Sequence, residues 1–289
     1  MENDSGRTEA RRMRAPSLYD LQRNAELMPQ QPMRDTFAFD QALYNKSSPM
    51  PGAWLAPLQL PGIKGFLLPS LLIPVTYYVP NMVCNGAEYG SYAGTVAFDI
   101  ATTWPGAMVP YVTAQYGGIF NQTITTGHGT SFTLGGWMMV TDVSAYTPFW
   151  GRWNDHDGVN KRACMVDETG DGVLRGRVSS DGTLANSKTL TGGTVTSGTW
   201  HFIGVRFIPS VSFSIFLDDT VTTTTATPFS TYYGSDTISS GFAQNQSEDA
   251  HYGTYLVGRI SQMWMSNYGI PDAMLNWLYA VQSPLFGRT

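Results

Sequence analysis

The chain has 289 residues, 42% hydrophobic, 13% aromatic and only 13% charged, with a formal net charge of −5; an average soluble domain carries roughly 25% charged residues. The deficit is local, because residues 1–35 hold 12 charges with net zero, residues 36–80 hold three, and residues 81–289 hold 24 with net −6. Residues 81–289 contain three Glu and two Lys against 28 Thr, 18 Ser and 26 Gly, so the side chains that solvate helix surfaces are nearly missing and a mostly helical body is excluded.

The first segment, MENDSGRTEARRMR, lacks an apolar core region, so no secretory signal is expected. Its arginines 7, 11, 12 and 14 are offset by Glu2, Asp4 and Glu9, which argues against nucleic acid as a partner. Residues 17–28, SLYDLQRNAELM, place Leu18, Leu21, Ala25 and Met28 at helical spacing behind a Ser17 cap. Such a short helix is marginal alone in water.

Residues 49–80 carry seven prolines among apolar side chains, chiefly Trp54, Leu58, Leu60, Ile63, Phe66, Leu67, Leu68, Leu71, Leu72 and Ile73. Proline at that density forbids a helix, a central strand and a membrane span, where every backbone group must be satisfied within the segment. The stretch is too greasy for a disordered linker. Residues 1–80 therefore read as an extended arm for assembly and anchoring, covered by the chain's own sandwich or by a neighbouring subunit, and a homo-oligomer is expected.

From about residue 92 the pattern becomes short strands punctuated by Gly, Asp and Asn: 95–99, 131–142, 148–153, 162–166, 172–179, 199–207, 211–217 and 255–266. In VSFSIFL, Val211, Phe213, Ile215 and Leu217 alternate with Ser212 and Ser214, which predicts a strand buried on one face. Asp181-Gly182 predicts a hairpin turn. The Thr-rich run 220–228 predicts a solvated edge strand or loop. Pro271 opens one closing helix, DAMLNWLYAV.

This order of features resembles the concanavalin A-like lectin/glucanase sandwiches of the laminin G-like type. The matching residues are YAGTVAFD, FTLGGWMMV, PFWGRWND with GVLRGRVSSDG, GTWHFIGVRF with FSIFLDD, and YLVGRISQMWMSNYGIPDAMLNWLY, covering about residues 92–280. The resemblance implies an all-β, antiparallel two-sheet jelly-roll sandwich over residues 81–289, with the arm before it and one short C-terminal helix. Where the family turns with Asp-Gly after its penultimate strand, this chain has Asp218-Asp219.

Laminin-type modules often bind calcium on rim loops, which makes Asp155, Asp157, Asp167 and Asp171 the candidate ligands; turn-forming Asp is the competing reading. Glycanases of this fold carry an E-x-D-x-x-E run, and none occurs here. Glu88, Glu168 and Glu248 stand singly in turn-like contexts, His201 falls in a strand, and Cys84 and Cys164 read as buried free thiols. No enzyme is expected.

Sugars are held by aromatic faces with polar side chains beside them, so Trp150, Arg152, Trp153, Asn154 and Asp155 form the candidate glycan set. Period two, however, puts Trp150 and Trp153 on opposite faces, so at least one is core. The expected role is structural: a tailed-phage virion component, capsid decoration or tail fibre, made in a host cytoplasm and joined to the particle through residues 1–80. The alternative is a glycan- or receptor-binding adhesion module recognising host-surface glycan.

Overall fold

The computed structural model describes residues 53–67, 78–80, 83, 89–91, 95–100, 108–113, 119–120, 130–154, 161–225, 238–240 and 258–288. The expected helix over 17–28, and Leu68, Leu71, Leu72, Ile73, Asp155 and Asp157, lie outside them. For Trp54, Leu67, Trp150, Arg152 and Asn154 the backbone alone is described.

A 3-10 helix at Ala53–Gln59 leads into β1 (Ile63–Leu67). Then come β2 (Tyr78–Pro80), β3 (Tyr89–Ser91), β4 (Thr95–Ile100), β5 (Met108–Thr113), β6 (Ile119–Phe120), β7 (Phe132–Val140), β8 (Tyr146–Asn154) and β9 (Lys161–Thr169). The rest are β10 (Val173–Gly182), β11 (Ser187–Thr194), β12 (Trp200–Ile208), β13 (Ser212–Leu217), β14 (Thr220–Thr224), β15 (Ile238–Ser240) and β16 (Gly258–Ser266). Helix α1 (Asp272–Gln282) and a 3-10 turn at Ser283–Phe286 follow. No helix among the described residues is long and apolar enough to cross a membrane.

Two antiparallel sheets face each other. The larger runs β14-β13-β12-β7-β16-β5-β4, with β1 also on β16, and the smaller runs β11-β10-β9-β8-β15-β6. Between them lies a dry core: Phe132, Leu134, Ile203, Val205, Phe213 and Met263 from the large sheet meet Phe149, Cys164, Val166, Leu174 and Val178 from the small one. Each alternates with a neighbour pointing the other way, as a pleated strand requires.

The outer face of the large sheet is buried too. Trp137, Phe202, Phe216 and Trp264 project outward into a second core closed by Leu55, Ala56 and Leu60 of the first 3-10 segment and by Leu275, Leu278, Leu285 and Phe286. Trp137 stacks on Phe286 with ring centroids 4.3 Å apart. Gly135 makes the layer possible, because a Cβ there would fall 2.5 Å from the Trp264 ring. Every position of β7 and β13 is consequently buried. The one-sided burial expected for 211–217 is therefore corrected: Ser214 and Phe216 lie beneath this second layer, and only Val211, just before the strand, is exposed.

Of the two covers expected for the arm, the chain's own sandwich is the one found at residues 53–67. β1 pairs antiparallel with β16, Phe66 opposite Trp264, and Leu60 and Phe66 are buried in the chain's own second core, with Leu58 and Ile63 packed against it. Asn267 donates its N–H to the Gly62 carbonyl at 2.9 Å, and Gly62 takes φ +64 against the Asn267 side chain, a place only glycine fits. Buried amides hold the layer together: Trp137 Nε1 donates to Gln282 Oε1 (2.8 Å), and Gln282 Nε2 donates to the Ala53 carbonyl (3.2 Å) and to Gln262.

Two local expectations also shift. Asp181-Gly182 still belongs to β10, and the chain reverses at 184–186, where Ser187 donates to the Leu184 carbonyl. The Asp181 carboxylate accepts from Thr183 and Asn186 and so braces that loop; these bonds, the Asn186 amide first, hold its carboxyl at about 2. Pro271 is extended, with ψ 150, and caps α1 from outside the first turn. The edge strand expected in 220–228 is β14, which pairs β13 at the end of the large sheet.

Candidate functional site

The small sheet carries its chemistry on the outer face. In β9, Cys164 and Val166 point into the core, so Met165 and Asp167 point out; in β10, Leu174 and Val178 point in, so Arg175 and Arg177 point out. The hairpin register sets Arg175 opposite Asp167 and Arg177 opposite Met165. Arg175 grips Asp167 through Nε–Oδ1 (2.8 Å) and Nη2–Oδ2 (2.9 Å), and Arg177 Nη2 reaches Oδ2 at 2.6 Å. Tyr146, from β8, donates its hydroxyl to the same oxygen at 2.9 Å.

The base of this cluster is aromatic and dry. The Arg177 guanidinium lies 4.9 Å from the Trp153 ring centroid, within cation–π range, and Tyr146, Trp153 and Met165 form a small buried group. Burial first, and then the Asp167 charge, push the Tyr146 phenol far above its ordinary range, so it acts as a neutral donor. Only the Arg175 side chain keeps appreciable exposure, 22%. Across the next strand, Thr191 pairs with Arg175 and Thr189 with Arg177, both threonines exposed. The face thus has a charged, hydroxyl-lined rim above a desolvated Arg–Trp–Tyr floor.

Against the expected glycan set, Trp153 is a buried floor residue rather than a sugar platform. The backbones of Trp150 and Arg152 pair with Val166 and Cys164 of β9, and that of Asn154 with Lys161. Against the expected calcium set, the role of Asp167 is corrected: two guanidinium groups occupy both its oxygens and would repel a cation. Asp171 lies apart in the β9–β10 turn, where Oδ1 accepts from Thr169 Oγ1 (2.5 Å) and the Val173 N–H (3.0 Å); these bonds, Thr169 first, hold its carboxyl below the usual range. Among the described residues no three His, Cys, Asp or Glu side chains are grouped to hold a metal.

Arg175, Arg177, Tyr146 and Met165 were absent from the residues singled out by sequence. The available signal was the R-G-R alternation of VLRGRVS, which puts both arginines on one face, opposite the aspartate of the preceding strand across a short Gly-Asp-Gly turn.

His201 takes its expected structural place. Its Nε2 accepts the Thr196 N–H at 3.0 Å, so Nδ1 carries the proton and donates to Asp218 Oδ2 at 2.9 Å. Asp218, in the left-handed region at φ 57, also accepts from the Phe202 N–H and from Arg288 Nη2 (2.6 Å). Burial alone would raise the Asp218 carboxyl; the hydrogen bonds from His201 and the Phe202 N–H, with the Arg288 charge, hold it below the ordinary value instead. This cluster ties the β13–β14 turn to the C-terminal segment, and His201 contacts no serine or cysteine nucleophile among the described residues.

No protein-family model and no curated protein matches the chain. Solved structures do match. The receptor binding domain of botulinum neurotoxin D aligns with a TM-score of 0.55 at 9% identity, over 77% of this chain and 53% of that one. The serotype D ligand binding domain in complex with N-acetylneuraminic acid gives 0.54 at 10%, over 79% and 53%. Botulinum neurotoxin type C, whose cell entry depends on interaction with two ganglioside molecules, gives 0.56 at 11%, over 76% and 51%. The chain spans about half the length of these structures, and the likeness shows the fold: a two-sheet, lectin-like β-sandwich.

Proposed function

We propose that this chain is a non-enzymatic recognition module that binds glycan on a host surface through the outer face of its small sheet. One observation carries the reading. The chain seals one outer face with its own helix and keeps the other for a graded polar surface, Arg175, Thr189 and Thr191 over Asp167, Arg177 and Trp153. An oriented guanidinium beside hydroxyls suits sugar hydroxyls and carboxylates. The solved structures of similar fold add support, since those proteins bind N-acetylneuraminic acid or gangliosides. The test is a glycan array followed by calorimetry on the full chain. Binding that falls at least tenfold in Arg175→Ala and Thr191→Ala, measured at a temperature where both variants are fully folded, is the expected outcome. Failure to bind any arrayed glycan sinks the proposal.

A second reading has its own support: of the proline-rich stretch 49–80, residues 68–80 carry Pro69, Pro74 and Pro80 among apolar side chains, as expected of a segment that anchors a subunit. On that reading the module is a tailed-phage virion component, capsid decoration or tail fibre, held by residues outside the sandwich, and its glycan face is displayed outward. Peptide mass spectrometry of purified particles decides it; absence of the chain from the particle removes the virion assignment.

A further inference from the structure

Three of the four large apolar side chains exposed among the described residues stand at one end of the sandwich: Leu184 (45%), Val211 (58%) and Tyr268 (51%). Strand register puts them there. Phe207 lies opposite Phe132 and Ser266 opposite Thr133, so the β12–β13 turn with Val211 and the β16–α1 link with Tyr268 leave from the same end. The two links also meet: a Cβ on Gly269 would fall 2.7 Å from Ile208 Cγ1, and Val211 donates its N–H to the Ile208 carbonyl at 3.0 Å. Leu184 is placed through the core. Gly192 abuts Ile215 and Gly193 abuts Leu217, so β11 and β13 run the same way, and the loop before β11 lies at the end where β13 begins.

Each tip has a braced backbone. Asn186 Nδ2 donates to Asp181 Oδ2 at 2.6 Å across the Leu184 loop, and Ser210 turns tightly at φ 56 before Val211. Tyr268 is pinned by its carbonyl, which accepts from Thr133 Oγ1 (2.7 Å), and by its N–H, which donates to Ser266 Oγ (3.0 Å). Apolar side chains held out from fixed loops lose little freedom when a partner buries them.

Charge identifies the partner. Lys64, Lys161 and Lys188 are three of the chain's four lysines, and all belong to this end. Lys64 follows Ile63, which pairs with Ser266; Lys161 opens β9 just before Arg162, which pairs with Gly182; Lys188 follows the first residue of β11. Of the acids here, Asp272 is paired with Arg206 and Asp181 is bound within its own loop. With Asp155 and Asp157, which precede Lys161 in sequence, and with Arg162 and Arg206 counted, cations still outnumber acids. The opposite end gathers Asp142, Asp171, Asp218 and Asp219, around the contacts of Val195, Ser197 and Gly198 with Gly172, Thr141 and Val140. A chain of net charge −5 that keeps its lysines around apolar loop tips has a positive end suited to an anionic surface with an apolar interior.

We propose that this end docks on the surface of an anionic phospholipid bilayer, with Leu184, Val211 and Tyr268 entering the headgroup boundary and Lys64 and Lys188 meeting the headgroup charges. The contact is superficial and needs no spanning segment. The Arg175 face lies on the flank of the sandwich, so bilayer and glycan would use different residues.

Cosedimentation of the full chain with sugar-free vesicles of phosphatidylcholine, with and without phosphatidylserine, tests this. Binding should be about tenfold tighter with phosphatidylserine, and should fall by about fivefold in Lys188→Gln. Val211→Glu and Tyr268→Glu, both at exposed positions, should abolish it while circular dichroism stays that of the wild type. Absence of vesicle binding overturns the proposal, as do equal binding to both vesicles and binding that survives the two glutamate substitutions. Self-association lost in those variants, without vesicle binding, assigns the end to a second copy and overturns it equally. Because the vesicles carry no sugar, none of these outcomes depends on glycan binding.

Discussion

The two outer faces of the sandwich solve the same problem in opposite ways. A sheet buried on one face leaves the other to water; here the large sheet covers its outer face with apolar layers, and the small sheet buries only the floor of its own. The large sheet covers itself with apolar layers: β1, the 3-10 segment and α1 close over Trp137, Phe202, Phe216 and Trp264, and the amides that tie the layer down donate to named carbonyls. The small sheet withdraws charges instead, setting Asp167 between two arginines and resting one of them on Trp153. The first arrangement gains from area; the second holds only while its charges balance. The apolar layer serves the fold alone, whereas the desolvated charged floor lies under an arginine that still reaches water, which is why the proposed binding is placed there.

The largest effect is expected from removing the lid. Deleting residues 1–67 takes away β1 and the 3-10 segment and leaves the Trp264 side of β16 uncovered, so the remainder should fail to fold or should aggregate. Deleting residues 1–52 should leave the sandwich folded. Circular dichroism and size-exclusion chromatography of the two truncations separate these outcomes, and equal behaviour would show that β1 is not integral. Phe66→Ala probes the same layer by one side chain; at full burial its loss should cost about 3–5 kcal/mol in denaturant unfolding.

Next comes the charged face. Asp167→Ala leaves two guanidinium groups without the carboxylate between them and should cost about 3–5 kcal/mol, the usual range for breaking a buried pair from one side. Arg175→Ala should cost about 1 kcal/mol, because that side chain is partly exposed and Arg177 still holds Asp167. Urea unfolding of both variants is the measurement. Equal losses would mean that the rim and the floor are not graded as the geometry has them.

What was legible in the sequence follows the same division. Every strand read from 131–266 falls on an observed strand, because alternation and turn residues are local signals. β1 was not legible: IKGFL is short, carries Lys64 and Gly65, lies between Pro61 and Pro69, and finds its partner Trp264 nearly 200 residues away, a pairing no local pattern announces. The double burial of β13 was hidden for a related reason, since Ser214 reads as solvent-facing until Arg206 Nη2 (3.0 Å) and Thr223 (2.9 Å) satisfy its hydroxyl. At the site, aromatic residues near Asn and Asp drew the reading to 150–155. The cluster depends instead on the β9–β10 register, which sets Arg175 beside Asp167 and could be found only by pairing the two strands.

The smallest effect sharpens the comparison at the scale of neighbouring residues. Asp167 and Glu168 point to opposite sides of β9, and only Asp167 has cations. Glu168 is fully buried, and its Oε1 accepts the N–H groups of Gly170 (2.5 Å) and Gly172 (2.6 Å). Burial raises its carboxyl above the ordinary value of 4.5, and the glycine N–H groups pull the other way without cancelling it. A carboxyl that binds its proton more tightly when folded adds most to stability at low pH. Its contribution falls as pH rises from the ordinary value through the raised one. Glu168→Gln keeps an acceptor for both glycine N–H groups and removes the charge, so at pH 7 the variant should melt above the wild type. The gap should close as pH is lowered towards 4.5, and thermal melts across that range would show it. A variant that melts below the wild type at neutral pH would mean that the N–H donors of the turn require the full carboxylate charge, and Glu168 would then be matched by backbone dipoles as Asp167 is matched by arginine.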